Sequence, residues 1–330
     1  MKTRRAHLGL LVMLTFAWRG MRAYADAALL MEEPYGHFGG VNPTGHAAVY
    51  LDHVCADSPT RLRACREGEA GVVISRYHRI SGYDWLAIPI VPYLYAVERV
   101  EDVPVSADAA LRAKLRDDYR RKYLLAYAPD VVDDAAASDA QSTAPDGEWT
   151  QLIGASYDRR IYGFQVKTTA EADERFIAEF NDHRNVSHFN LFFNNCADFS
   201  RVLLNTYYPH AVHRNFFVDV GTTTPKQVAR SLTKYAKNHP ELDFSTFMIP
   251  QVPGSIPRSH PVNGVLESVV KSKKYVLPLA VLHPEVTAGF VVAYFADGRF
   301  HMPKNAETVM VPGEMERKEE TVSSTIAGTQ

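Results

Sequence analysis

Asn194-Asn195-Cys196 stands directly before Phe199, Val202, Leu203 and Thr206, four residues at the i, i+3, i+4, i+7 spacing of one helix face. An asparagine side chain accepts hydrogen bonds from the first unsatisfied backbone N–H groups of a helix, so the two asparagines predict a helix start at Cys196. No other feature of the chain constrains the fold as much. A helix with one apolar stripe must bury it against a second layer, and the thiol then sits at the end of that interface. The helix start also puts partial positive charge beside the sulfur. That is one of two devices that favour a thiolate, the other being a neighbouring imidazole.

The chain has three cysteines, Cys55, Cys65 and Cys196. Cys55 and Cys65 flank a polar connector that contains Pro59, which suits a loop closed by a disulfide. That pairing leaves Cys196 alone, and a leftover thiol is either chemically active or buried and inert. The N-terminus predicts an oxidising destination. Lys2, Arg4 and Arg5 precede an apolar run from Leu8 to Trp18, and Ala23-Tyr24-Ala25 supplies a small-x-small cleavage pattern before Asp26. Residues 1–25 are therefore expected to be a signal peptide, and the protein exported to the periplasm or cell envelope. An uncleaved anchor or a buried helix is the rival reading of the same run, and Arg4-Arg5 is a weak twin-arginine mark. Cleavage would leave 31 of the 36 basic residues against 38 acidic ones, a balance of −7. That balance argues against a nucleic-acid partner.

Apolar residues make up 46% of the 330, enough for a sizeable core. Residues 26–45 read as a lead-in loop, 46–51 as a short strand and 72–78 as a second. Pro89 and Pro92 divide the apolar stretch 84–98 into what reads as two short strands with a bend. An amphipathic helix is expected over 107–125, a connector near 130–148, a strand over 160–167 and a helix over 171–180. Thr224-Pro225 opens another helix. Residues 276–295 are apolar but interrupted by Pro278, His283, Pro284 and Glu285. Two buried strands are favoured there over a membrane span, with membrane association through this segment kept as the alternative. Residues 211–303 read as a C-terminal helical and strand extension, and 304–330 as a disordered tail. No internal repeat is present.

The histidines that strands would present are the candidates for the imidazole. His46 opens a strand after Gly45, and Ala48, two positions on, leaves room on its face. His78 lies on the expected neighbouring strand and could orient His46, while His53 is a loop alternative. Other chemistries have weaker marks. His210-Ala211-Val212-His213 is closely spaced, but there is no His-Glu-x-x-His and no paired cysteine ligand set, so no metal is assigned. Val252-Pro253-Gly254-Ser255-Ile256 lacks the second glycine of a serine nucleophile elbow.

Gly45-His46-Ala47-Ala48-Val49-Tyr50-Leu51 early and Asn194-Asn195-Cys196-Ala197-Asp198-Phe199 late resemble the circularly permuted papain-like branch of the NlpC-type superfamily. That branch holds lecithin retinol acyltransferase and bacterial periplasmic thiol-protease-like domains of unassigned activity. In it a strand histidine precedes a cysteine that starts a helix packed on the sheet. The resemblance covers roughly residues 35–210. It implies an α+β fold, an antiparallel sheet packed against the Cys196 helix, and a catalytic domain over 26–210. It also implies Cys196 as nucleophile, His46 as its base, and an oxyanion site at the Cys196 N–H helped by Asn195. The family's third polar residue has no evident counterpart, and His78 is taken by strand adjacency. The implied activity is a thiol-dependent hydrolase or acyltransferase that forms an acyl-enzyme on peptidoglycan peptides, lipids or lipoproteins, with no cofactor. A non-catalytic envelope binding or scaffold protein that keeps the same fold is the alternative.

Overall fold

A computed structural model describes residues 24–36, 39, 43–128, 152–219 and 221–312. The expected signal peptide up to residue 23 and the connector near 130–148 lie outside these residues.

Among the described residues nine strands follow one another, β1 Tyr24–Glu32, β2 His46–Leu51, β3 Val54–Ser58, β4 Arg61–Ala64, β5 Val72–Ile80, β6 Tyr83–Pro89, β7 Ile161–Thr169, β8 Ser245–Ile249 and β9 Glu307–Thr308. The helices that matter here are α1 Ile90–Tyr95, α2 Ala109–Tyr119, α3 Ala155–Asp158, α4 Ala170–Asp182, α5 Cys196–Tyr207, α6 Pro225–Lys237, α7 Val265–Lys271, α8 Lys273–Leu282 and α9 Pro284–Ala293. Seven strands form one sheet in the order β6-β5-β2-β1-β7-β8-β9. All its pairings are antiparallel except β8 with β9. The class is α+β, as expected.

The sheet is buried on both faces, because alternate side chains of each central strand enter different cores. Ala28, Leu30, Ala48, Tyr50 and Val73 pack with α1, α3 and the end of α2. Ala27, Leu29, Met31, Ala47 and Val49 pack with α4, α5 and α6. On α5 the buried residues are Ala197, Asp198, Phe199, Ser200, Leu203 and Leu204. Each large apolar side chain buried there contributes about 1.5–3 kcal/mol. Val202, placed on the buried stripe by spacing, is instead exposed. Short polar caps start α2, α4 and α6. Asp108 accepts from Leu111 N at 2.8 Å, Thr169 from Ala172 N at 3.2 Å and Thr224 from Gln227 N at 3.2 Å.

Several expectations are corrected. Residues 26–32 are not a loop but most of β1, an inner strand of the sheet, and β1 begins two residues before the expected cleavage point. The Cys55–Cys65 disulfide is present, and the segment it closes is the β3–β4 hairpin rather than an irregular connector. Residues 84–98 give one strand and a helix, α1, with Pro92 tolerated in its first turn. Residues 276–295 form the helical pair α8–α9 instead of strands, with Pro284 at the first position of α9. Among the described residues no helix is long and apolar enough to cross a membrane. The sheet itself continues past residue 210 through β8 and β9. The expected tail begins with ordered chain, where Val309 and Val311 are core residues.

Candidate active site

The β2–β5 ladder holds from Leu51↔Val72 to Val49↔Ile74 and then ends. Beyond it the strands part, and the site is built in the gap. Backbone groups freed by that parting need other partners. The Ala47 carbonyl accepts from Ser75 Oγ at 2.8 Å. The Ala47 N–H is directed at the Cys196 sulfur and acts to stabilise its thiolate form.

Cys196 is delivered to this gap by α5. Asn195, in extended conformation, caps the helix through Oδ1, which accepts from Ala197 N at 2.9 Å and Asp198 N at 3.0 Å. Its Nδ2 donates to the Leu191 and Thr223 carbonyls, each at 3.0 Å. Asn195 therefore fills its role at the helix start, but both of its side-chain donors are committed. These bonds fix the side chain at the helix start. Asp198 fastens the same end. Its Oδ1 accepts from Arg214 Nη2 at 2.7 Å and Thr223 Oγ1 at 2.6 Å, while Arg214 also donates to the Phe193 carbonyl at 2.6 Å.

His46 opens β2 behind Gly45. That glycine has φ +72°, and a Cβ there would stand 2.1 Å from the Glu32 carbonyl oxygen, so only glycine fits. The His46 ring stacks on Tyr77 with centroids 5.4 Å apart, and Nε2 lies 2.9 Å from Ser75 Oγ. Serine has one proton, already given to Ala47. Ser75 therefore accepts from His46 Nε2–H, leaving Nδ1 unprotonated and free to act as a base.

His46 and Cys196 line one cavity of about 730 Å³, together with Arg76, Tyr77, His78 and Arg159. His78 is brought to the cavity but meets Phe189 edge-on, centroids 5.0 Å apart. Ser75 and Tyr77, on the same strand, are the residues that meet the His46 ring. His53 is remote from this network and pairs with Asp52 at 2.8 Å. His210 and His213 stack on each other. Among the described residues the one grouping with metal-like geometry is Cys55, Cys65 and Glu69, and its two sulfurs are joined to each other.

Burial disfavours the charged form of both groups. Burial pushes the Cys196 thiol up to about 11, outweighing the backbone N–H groups that favour the thiolate. Burial, with the Arg159 charge second, pushes His46 down to about 3. Arg159 belongs to a buried set beneath the site. It pairs with Glu32 at 3.0 Å, lies over the Tyr35 ring at 4.4 Å, and shares Glu32 with the Tyr93 hydroxyl.

Sequence reasoning missed Ser75, Tyr77, Arg159 and Glu32. Ser75 and Tyr77 had a signal, since they alternate along the strand identified for His78. Arg159 and Glu32 had none, because nothing local tells a buried ion pair from a solvated one.

No family model matches the chain, and no curated protein matches it. Among solved structures, a crystal structure of the type VI secretion system effector TseH is similar to it at 14% identity, covering 64% of this chain and 88% of that one, with a TM-score of 0.29. A likeness at that level carries no argument about chemistry.

Proposed function

We propose that the protein is an exported cysteine-dependent hydrolase or acyltransferase of permuted papain-like architecture, acting on an amide or ester of the cell envelope. The observation that carries this reading is the coincidence, in one cavity, of a helix-start thiol and an imidazole whose tautomer is fixed by Ser75. In the reaction His46 Nδ1 takes the Cys196 proton as the sulfur attacks the carbonyl carbon, so no free thiolate need accumulate. The oxyanion is held at the α5 N-terminus. Collapse breaks the bond to the leaving amine or alcohol, which receives the proton from His46. Water or a second acceptor then releases the acyl group. Burial, which disfavours charge on both groups, suits this concerted transfer.

The same burial also favours a second reading, a non-catalytic envelope protein in which Cys196 is inert. One experiment separates the two. A thiol-directed acyl probe should label the wild type at Cys196 and lose its signal in Cys196→Ala and His46→Ala with the circular dichroism unchanged. Equal labelling of Cys196→Ala, or no labelling of the wild type, defeats the enzyme reading.

A further inference from the structure

The helical pair α8–α9 has no buried residue. On α8, Leu277 and Val281 share one face while Tyr275 and Leu282 lie on nearly the opposite one, and all four are exposed. Val281 is 81% exposed and, on α9, Val292 is 67% exposed. A protein groove takes one stripe of a helix; apolar character all round matches a solvent of hydrocarbon. The charges sit at the ends. Lys273 and Lys274 start α8, Arg299 follows α9, and the turn between the helices holds His283 and Glu285. Aromatic rings accompany the basic ends, Lys274 over Tyr275 and Arg299 over Phe295.

We propose that α8–α9 is a monotopic hairpin immersed just below the head groups of one leaflet of an anionic phospholipid bilayer, where it holds the mouth of the Cys196 cavity against the membrane. Ten residues per helix span about 15 Å, half of a hydrocarbon core. An end-on pose would put Glu285 at the bilayer centre, which is costly. With the helix axes along the membrane plane, the Lys273–Lys274 end and the His283–Glu285 turn both stay at head-group depth, and the lysines meet lipid of opposite charge. The hairpin is continuous with the site. α7, which leads into α8, starts at Val265 in the cavity wall, and Leu266 N donates to the Val218 carbonyl at 3.2 Å. Val218 adjoins Phe216 and Phe217, which are 71% and 86% exposed, and Phe192 and Phe193 form an exposed lip of the cavity itself. These surfaces extend the apolar area from the hairpin to the mouth.

Docking does not need the Cys196 chemistry, so its test runs separately. The full chain should float with vesicles of phosphatidylethanolamine and phosphatidylglycerol, and Cys196→Ala should float equally. Val281→Asp/Val292→Asp should float at least about tenfold less with unchanged circular dichroism. An environment-sensitive dye on Val281→Cys, in the Cys196→Ala background, should shift to the blue on adding the same vesicles. Absence of flotation, equal flotation of the double variant, or no dye shift overturns the proposal. So does a lipid-free dimer that the double variant dissolves, since a second copy would then be the occupant.

Discussion

Ser75 Oγ stands 2.9 Å from His46 Nε2 while its own proton is spent on the Ala47 carbonyl at 2.8 Å, so the serine serves the histidine only as an acceptor. The imidazole is thereby held in one tautomer with Nδ1 bare. Ser75→Ala should lower the rate of Cys196 acylation about 10- to 100-fold, and Ser75→Thr should restore part of it. Stopped-time probe labelling of the two variants checks this, with urea unfolding to record the roughly 1–3 kcal/mol cost of the orphaned partners. Equal rates in Ser75→Ala and the wild type would remove Ser75 from the mechanism.

His46 is held down to about 3 in the folded chain against an ordinary value of 6.5. Between those limits the unfolded chain carries one more proton than the folded one, so acidification favours unfolding. Stability should fall by roughly 1 kcal/mol per pH unit on going from 6.5 toward 3, and His46→Gln should flatten this part of the profile. Chemical denaturation at a series of pH values measures the slope.

The Cys196 thiol, pushed up to about 11, should be a poor nucleophile before substrate binds. Iodoacetamide at pH 8 is expected to alkylate it about 10- to 100-fold more slowly than a denatured control, with the rate climbing only at strongly alkaline pH. Fast alkylation at pH 6 would mean that the resting pair is ionic after all.

Asn195 satisfies two N–H groups and two carbonyls at once. Asn195→Ala should destabilise the protein by roughly 2–4 kcal/mol, the upper end of a lost cap plus buried orphans. Asn195→Asp keeps the cap and loses only the donors to Leu191 and Thr223, so its unfolding midpoint should fall between the other two. If both variants melt like the wild type, the cap does not fix the Cys196 position.

The Cys55–Cys65 bond ties the β3–β4 hairpin, which docks on α4 where Asn181 exchanges two hydrogen bonds with the Leu62 backbone, at 2.9 and 2.8 Å. Replacing both cysteines by alanine should cost about 2–3 kcal/mol and lower Tm, as read by calorimetry. Probe labelling of Cys196 should persist below the new transition, because the hairpin lies outside the cavity lining.

Legibility followed the range of the interactions. The starts of α5 and α6 were readable because a cap is settled within four residues, as Asn195 and Thr224 show. Strands β2, β5 and β7 were readable from β-branched and aromatic runs. β1 was not: Ala27-Ala28-Leu29-Leu30-Met31 is buried on both faces, so it lacks alternation, and its composition favours helix. Its conformation is imposed by β2 and β7 on either side. α8–α9 misled in the opposite direction, since an apolar run broken by prolines has no period that tells a strand from an exposed helix. At the site, Cys196 and His46, both singled out in the sequence, line one cavity, but Ser75, the hydrogen-bond partner of His46, was passed over for His78, three positions along the same strand.

The strand order has a consequence for how this chain is made. β1 is gripped by β7 from more than a hundred residues downstream, and the last strand, β9, joins from residue 307. A polypeptide emerging N-terminus first must wait for distant partners before its innermost strand is flanked on both sides, and closure entropy makes that wait slow. That wait ends only when residues 161–169 of β7 have been made.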